Sequence, residues 1–254
     1  MQCVCTTVVY YQKMIPEFKI NFILTQGIAY FIGKNIQTKR HEHHALEFIF
    51  GIDRPFDLLS DESELRKIYG VVIDPNYPHQ FIGGDARYLF IYLEPELLPI
   101  NQIKSYYALP FRKTVQIEKI SSFPSVEEVI NFSFFSDTLG ITTTHNAIPE
   151  TDCRIKNSVE YIKTNLEEEQ ISSNMLAEKT HLSTSRFCHL FKEQIGIPVR
   201  KFILWCRIQE ALMELVRGGN FTESAHVAGF SDSAHFSRTF SKMFGVSPSS
   251  VLKR

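Results

Sequence analysis

The sequence lacks the segments that carry a protein into or across a membrane. Its longest apolar stretch, NFILTQGIAYFIG, is too short and too polar to cross a bilayer. The first residues, MQCVCTTVVYYQK, lack the basic start and the long apolar core of a signal peptide. The five cysteines are odd in number and scattered, which does not suggest a disulfide framework. They are Cys3, Cys5, Cys153, Cys188 and Cys206. We therefore expect a cytoplasmic protein with reduced thiols and no membrane partner.

The chain also lacks a net charge of either sign, with a formal value of −1. This balance conceals a difference between its two halves. Residues 1–152 carry 13 Lys and Arg against 18 Asp and Glu, whereas residues 153–254 carry 14 against 10. The basic excess in the second half favours contact with a polyanion by that half alone. Ordinary variation in surface charge is the alternative explanation.

The two halves differ in the pattern of their apolar residues as well as in charge. Residues 1–95 contain short apolar runs broken by Gly, Pro, Asp and Asn, which predict an antiparallel all-β sandwich or barrel. Residues 96–140 are mixed, and we predict a dimerisation helix at about 125–139, where Ser125 and Glu128 have the spacing of a capping box. Residues 141–152 read as a polar linker, and residues 153–254 as an all-α domain. The predicted fold is therefore two-domain.

The helical half contains an internal repeat. LAEKTHLSTSRFCHLFKEQIGIP is matched by SAHVAGFSDSAHFSRTFSKMFGVSP, and each copy predicts a short helix, a tight turn and a longer helix. The two units span about 174–196 and 222–245, with Ser183 and Ser231 as the predicted N-caps of the longer helices. Each longer helix has one apolar stripe and an opposite face of small, polar or cationic residues. Such a face suits a helix that enters the major groove of DNA, although a plain helical hairpin would show the same stripe.

The repeat resembles a known family. VAGFSDSAHFSRTFSKMFGVSPSSVLKR resembles the signature of the AraC/XylS family of bacterial transcription regulators, and CRIQEALMELV resembles the helix that joins their two helix-turn-helix units. The resemblance implies that both recognition helices lie on one face of double-stranded DNA, in successive major grooves. It assigns base contacts to Ser185, Cys188, His189, Ser233, Ala234, Ser237 and Arg238. Lys192 and Lys242 are the expected phosphate contacts.

The N-terminal half resembles the cupin barrel that many of these regulators carry. HEHHALEFIF is similar to the first cupin motif and VVIDPNYPHQF to the second, with Asn35 and Asn76 where those motifs usually have glycine. The resemblance brings together four residues that bind a metal in catalytic cupins, here His41, His43, Glu47 and His79. Three interpretations are open: a metal-free effector pocket, structural hydrogen bonding, or a metal site. We favour the effector pocket and expect the four side chains to cluster without a catalytic metal.

These observations predict a sequence-specific DNA-binding transcription regulator whose cupin-like barrel binds an effector. The expected partners are double-stranded DNA, a small-molecule effector, a second copy of the chain and, if the protein activates transcription, RNA polymerase. On this interpretation the chain is not an enzyme and has no catalytic residue, cofactor or metal. The alternative is a metal-dependent cupin enzyme fused to a DNA-binding module.

Overall fold

Antiparallel strands make up most of the N-terminal half. The computed structural model describes residues 22–25, 27–96, 100–139, 151–167 and 171–251. The strands are β1 (Phe22–Thr25), β2 (Ile28–Lys34), β3 (Leu46–Gly51), β4 (Phe56–Ser60), β5 (Glu64–Ile68), β6 (Gly70–Ile73), β7 (His79–Ile82), β8 (Arg87–Leu93) and β9 (Thr114–Ile117). They form a six-stranded sheet in the order β1-β2-β8-β3-β6-β9 and a three-stranded sheet in the order β5-β4-β7.

Strand β3 lies at the centre of the N-terminal core, and all six of its residues are buried. Alternate side chains of a strand point to opposite faces, so one strand contributes to two hydrophobic clusters. Phe48 and Phe50 pack towards the helices that follow β8. Ile49 packs on the other face, among aromatic residues that include Phe56 and Phe81 of the small sheet. The six-stranded sheet is therefore covered on both faces around β3, as the three consecutive apolar residues Phe48, Ile49 and Phe50 require.

The region predicted to be mixed contains both helix and strand. Its helices are α1 (Ile100–Tyr106), α2 (Leu109–Arg112) and α3 (Val126–Ile130), and a π-helical turn covers Phe134–Thr138. The predicted helix at 125–139 is therefore divided, because Phe132 adopts a left-handed conformation (φ 63°). The predicted capping box of Ser125 and Glu128 is present. The apolar side of this segment packs against Phe48 and Phe50 through Phe134 and Phe135.

The C-terminal half is helical throughout its described residues. Its elements are α4 (Cys153–Thr164), α5 (Ser173–Lys179), α6 (Thr184–Ile195), α7 (Val199–Arg217), α8 (Phe221–Val227), α9 (Ser233–Phe244) and α10 (Pro248–Val251). Most of the predicted linker, residues 141–150, lies outside the described residues. In the part of the chain that the structure describes, no helix is both long enough and apolar enough to span a bilayer.

The two predicted N-caps differ in outcome. Ser183 caps α6, since its hydroxyl accepts a hydrogen bond from the backbone N–H of Arg186. The prediction for Ser231 was wrong, because Asp232 caps α9 by accepting from the backbone N–H of His235. A carboxylate at this position is also attracted to the positive end of the helix dipole, which favours an aspartate over a serine here.

Helix α7 joins the two repeat units without a break over 19 residues. Its N-terminal half packs on the first unit through Phe202, Ile203 and Cys206. Its C-terminal half packs on the second unit through Ile208 and Leu212. Because each unit shares a core with the same helix, the spacing between the units is fixed by packing.

Candidate functional site

The first long helix of the repeat, α6, turns its predicted DNA-contacting residues outward. Phe187 and Phe191 are fully buried. Ser185, His189 and Lys192 are exposed, whereas Cys188 is half-buried and packs against the core. The side chain of a half-buried cysteine has less reach towards a base edge than its exposed neighbours.

The second long helix, α9, follows the same plan. Phe236 and Phe240 are buried in the core that α7 shares. Ala234 and Arg238 are exposed, and Ser233 and Ser237 are half-buried. Arg238 is thus placed on the solvent side of a helix of 12 residues, where its guanidinium can reach outward. Met243 and Phe244 continue the same apolar stripe and pack against this core, but they are only half-buried because they line open space at the boundary with the N-terminal domain.

The four residues of the two cupin-like motifs lie together. His41 pairs with His79 in an isolated β-bridge, and the nitrogens of His41, His43 and His79 lie within 4.8 Å of one another. One Glu47 oxygen, Oε2, lies 3.1 Å from Nε2 of His43 and 3.1 Å from Nε2 of His79. His44 points elsewhere, and its Nε2 lies 2.7 Å from Oε1 of Glu96. The resemblance to the cupin motifs implied this grouping of four residues, and the even spacing of His41, His43 and Glu47 is that of side chains on one face of an extended chain.

The charges of the cluster depend on burial and on its neighbours. Nδ1 of His79 lies 2.8 Å from the carbonyl of Tyr77, which fixes the orientation of the ring. Burial alone would raise the pKa of Glu47, but His43 and His79 lower it well below its ordinary value. Burial, together with His79 and His43, lowers the pKa of His41 to about 3. The cluster therefore holds an ionised Glu47 next to a neutral His41.

The same donor set can hold a divalent cation. Nδ1 of His41 and Nδ1 of His79 both bond to backbone carbonyls, of Lys39 at 2.9 Å and of Tyr77 at 2.8 Å. This arrangement fixes both rings and leaves their Nε2 atoms for a ligand, as in metal-binding histidines. His43 and Glu47 would complete such a site.

The C-terminal end of α9 docks against the N-terminal domain beside this cluster. The backbone N–H of Lys39 donates to the carbonyl of Gly245 at 2.8 Å. The ring of Phe244 stacks on His43, with 5.8 Å between centroids, and meets Tyr92 edge-on at 5.8 Å. The second recognition helix is therefore held by the domain that carries the cupin-like motifs.

Two polar contacts extend this interface along other helices. The buried carboxylate of Glu94 accepts from Nζ of Lys163 at 2.8 Å and from Nε2 of Gln209 at 2.7 Å. Lys201 of α7 bonds to Glu42 at 2.6 Å. Sequence reasoning missed these contacts, since residues more than 60 positions apart carry no local pattern that links them.

A cleft of about 530 Å³ opens between the two domains next to the histidines. Its lining includes His41, His43, His44, Lys201, Trp205 and Lys242. Of the four aromatic residues that could supply the walls of an effector pocket, Phe81 and Tyr88 pack against each other at 5.0 Å in the core, whereas Phe90 and Tyr92 line an apolar cavity together with Trp205 and Phe244. The open space therefore lies at the domain boundary.

The helical half is similar to known DNA-binding domains and regulators. Residues 176–254 match the sequence model of a helix-turn-helix domain family. The arabinose operon regulatory protein of Salmonella typhimurium is 36% identical over 103 residues, which are 40% of this chain and 36% of that protein. The match thus spans about a third of the length of that relative. The probable transcriptional regulator LumQ of Photobacterium leiognathi is 24% identical over 232 residues, which cover 82% of this chain and 89% of LumQ.

Solved structures agree with the whole architecture. ToxT from Vibrio cholerae has a TM-score of 0.57 at 13% identity, covering 90% of this chain and 98% of ToxT. ToxT with a bound unsaturated fatty acid has a TM-score of 0.53 at 13% identity, covering 89% and 94%. At this identity the likeness concerns the fold: a sheet-rich N-terminal region followed by a helical region. The helical half therefore matches a helix-turn-helix domain and is similar to the regulators named above, and the fold as a whole is similar to that of ToxT.

Proposed function

We propose that this protein is a sequence-specific DNA-binding transcription regulator whose DNA-binding half is controlled by a small molecule. The observation that carries the proposal is the pair of helix-turn-helix units held on one continuous helix, α7, with α9 also docked on the N-terminal domain. A molecule that changes this docking changes the placement of one recognition helix. The relatives named above are regulators, which supports a regulator rather than an enzyme.

The DNA contacts that we propose are those of the exposed face of each long helix. Ser185, Cys188, His189, Ser233, Ala234, Ser237 and Arg238 read base edges, and Lys192 and Lys242 contact phosphates. Arg238 is the strongest of these candidates, because a guanidinium can hold a guanine edge with two hydrogen bonds. Lys242 also lines the interdomain cleft, so its contact with DNA depends on how the two domains are arranged.

The N-terminal half, we propose, is a cupin-like barrel with the effector at its mouth. The two sheets share one aromatic core, and bridges at Gln37–Ile82 and His41–His79 pair the segment between β2 and β3 with β7 of the small sheet. Effector contacts come from His41, His43, Glu47 and His79. The crystal structure of ToxT with a bound fatty acid supports a small-molecule site in this fold.

We further propose that residues 96–140 form a homodimer contact. Phe111 is 91% exposed and Tyr106 is 53% exposed, both on the outer side of this region. Large aromatic side chains on a surface favour a protein interface. A dimer would present four helix-turn-helix units to double-stranded DNA, and an activating dimer would also contact RNA polymerase.

The experiment begins by selecting a binding sequence for the purified protein from a random DNA library. Arg238→Ala should weaken binding to the selected sequence by about tenfold or more and binding to random DNA much less, since a bidentate base contact is worth about 1–3 kcal/mol. Lys192→Ala should weaken binding to both DNAs equally and reduce the slope of the salt dependence by about 1.

Lys156→Ala is the matched control, because Lys156 is an exposed lysine of α4, outside both repeat units. It should leave affinity for both DNAs unchanged. Failure to select any sequence would refute the proposed function. Equal losses on both DNAs for Arg238→Ala would reassign that residue to a phosphate contact.

A further inference from the structure

The face of α9 assigned to base contacts leads into a polar recess between the two domains. This reading face carries Ala234, Ser237 and Arg238. Ser241 lies four residues after Ser237 and three after Arg238, so it continues the same side of the helix. Ser241 also lines a recess of about 550 Å³ at the C-terminal end of α9. The surface assigned to DNA therefore extends into this recess.

Both domains line the recess, and its chemistry suits an anion. Among the described residues its lining consists of Gln37, Thr38, Lys39 and Gln80 from the N-terminal domain and Ser241, Gly245, Val246, Ser247 and Ser250 from the C-terminal domain. None of these residues is acidic, and together they present hydroxyl groups, side-chain amides and one ammonium group. Groups of these three kinds contact the phosphates of DNA. The lining therefore matches a phosphodiester backbone.

Lys39 is the cation of the recess, and a hydrogen bond fixes its backbone. Its N–H donates to the carbonyl of Gly245 at 2.8 Å, directly after the last residue of α9. The neighbouring Arg40 is paired with Asp61. Lys39 is exposed, and no carboxylate of the described residues lies within ion-pair distance of its ammonium group. The charge of Lys39 is therefore available to an anion in the recess.

The position of the recess along α9 matches the position of the DNA backbone. A recognition helix places its N-terminal residues against base edges in the major groove, and its C-terminal end contacts the backbone. The three residues of the reading face lie in the first half of α9, and the recess lies at its C-terminal end. Phosphates that flank the second half-site would therefore pass beside Lys39.

We propose that Lys39 binds a DNA phosphate next to the second half-site, so that the N-terminal domain takes part directly in DNA binding. The hydroxyl of Ser241 lies on the same stretch of DNA backbone. This inference rests on the proposed DNA-binding function and adds a contact from outside the helical half. Because the contact needs both domains in place, an effector that separates them would remove it together with the docking of α9.

Neutral phosphate analogues test this contact directly. The DNA sequence selected with the full-length protein is prepared with one methylphosphonate, an uncharged linkage, at each backbone position in turn. Arg238→Ala identifies the second half-site, because it relaxes the sequence preference there. At one or more positions beside that half-site, the neutral linkage should weaken binding of the wild-type protein by about two- to fivefold, the worth of one exposed ion pair. The same linkage should have no effect on binding of Lys39→Gln.

The dependence of binding on salt provides a second readout. Raising the salt concentration from about 50 to about 200 mM should weaken the wild-type protein about threefold more than Lys39→Gln, since each phosphate contact adds about 0.9 to the salt slope. Lys119→Gln is the matched control, because Lys119 is an exposed lysine of the same domain that lies over the ring of Tyr69. It should keep the salt slope and the methylphosphonate profile of the wild-type protein.

Three results would overturn the proposal. If Lys39→Gln keeps the wild-type affinity, salt slope and methylphosphonate profile, Lys39 does not touch DNA. If it loses affinity while slope and profile stay the same, Lys39 has a structural role at the end of α9. A gain in affinity would show that the docked N-terminal domain competes with DNA.

Lys192→Ala, measured in the same experiment, separates this inference from the proposed function. A lower salt slope in Lys192→Ala together with an unchanged slope in Lys39→Gln would remove the contact from the N-terminal domain and leave DNA binding by the helical half standing. Failure to select any sequence would instead refute the proposed function itself.

Discussion

Replacing Gly245 with alanine tests whether α9 is docked on the N-terminal domain, and Gly196 supplies the matched control. The two glycines end the long helices of the two repeat units, and both have positive φ, +68° and +89°. Alanine in this conformation costs about 1–2 kcal/mol at either position. A Cβ at Gly196 meets nothing within 4 Å, whereas one at Gly245 lies 2.3 Å from the carbonyl oxygen of Lys39.

The difference between the two variants therefore measures the docking. The free energy of unfolding should fall by about 1 kcal/mol more in Gly245→Ala than in Gly196→Ala. This is about the worth of the hydrogen bond from Lys39 to Gly245, which breaks because the loop that contains Lys39 must move away from α9. Gly245→Asn separates the two effects, since asparagine tolerates a left-handed backbone but still has a Cβ.

Hydrogen exchange of single amides is the assay that locates the change. The Lys39 amide, bonded to Gly245, should exchange faster in Gly245→Ala and Gly245→Asn and at the normal rate in Gly196→Ala. The Gly51 amide, bonded to the carbonyl of Tyr69 within the N-terminal domain, is the internal reference. Equal losses of unfolding free energy in the two alanine variants, with unchanged exchange at Lys39, would refute the docking argument.

Three further predictions concern DNA geometry, capping and the histidine cluster. Because α7 fixes the spacing of the two units, inserting half a helical turn, about 5 base pairs, between the half-sites should abolish binding in a gel-shift assay, and inserting a full turn should also weaken it. Asp232→Ala should lower the free energy of unfolding by about 1 kcal/mol, whereas Ser231→Ala should have a clearly smaller effect; the reverse order in urea titrations would restore Ser231 as the cap. Purified protein should contain no stoichiometric metal by elemental analysis, and one metal per chain that is lost in Glu47→Gln would favour the enzyme alternative.

Local patterns predicted a large part of this structure. The 3.6-residue period of apolar residues and the internal repeat predicted the positions of both helix-turn-helix units. Helix α7 covers the segment that was expected to join them. Period-two spacing predicted that His41, His43 and Glu47 share one side of the chain. Asn35 and Asn76, where cupin motifs usually have glycine, adopt φ of 58° and 61°, so the backbone turn is retained by the residue type that tolerates it best after glycine.

Contacts between distant segments could not be predicted in the same way. Phe244 was expected in the buried stripe of α9, but its ring lies against His43, 201 positions earlier in the chain. The effector site was expected inside the predicted barrel or at its mouth; Phe81 and Tyr88 fill the core between the sheets, and His41 and His43 line a cleft at the domain boundary. The cleft depends on how two domains meet, and neither a helical period nor a strand period contains that information.

The many contacts of α7 also constrain how the cleft can change in evolution. Trp205 lines the cleft and also packs in the core of the first repeat unit. A substitution of Trp205 that changes the shape of the cleft should therefore also lower the stability of that unit. Asn76, Thr239 and Lys242 line the same space without belonging to any buried cluster. Divergence in ligand preference between related chains should therefore accumulate at these three positions, while the tryptophan stays the same.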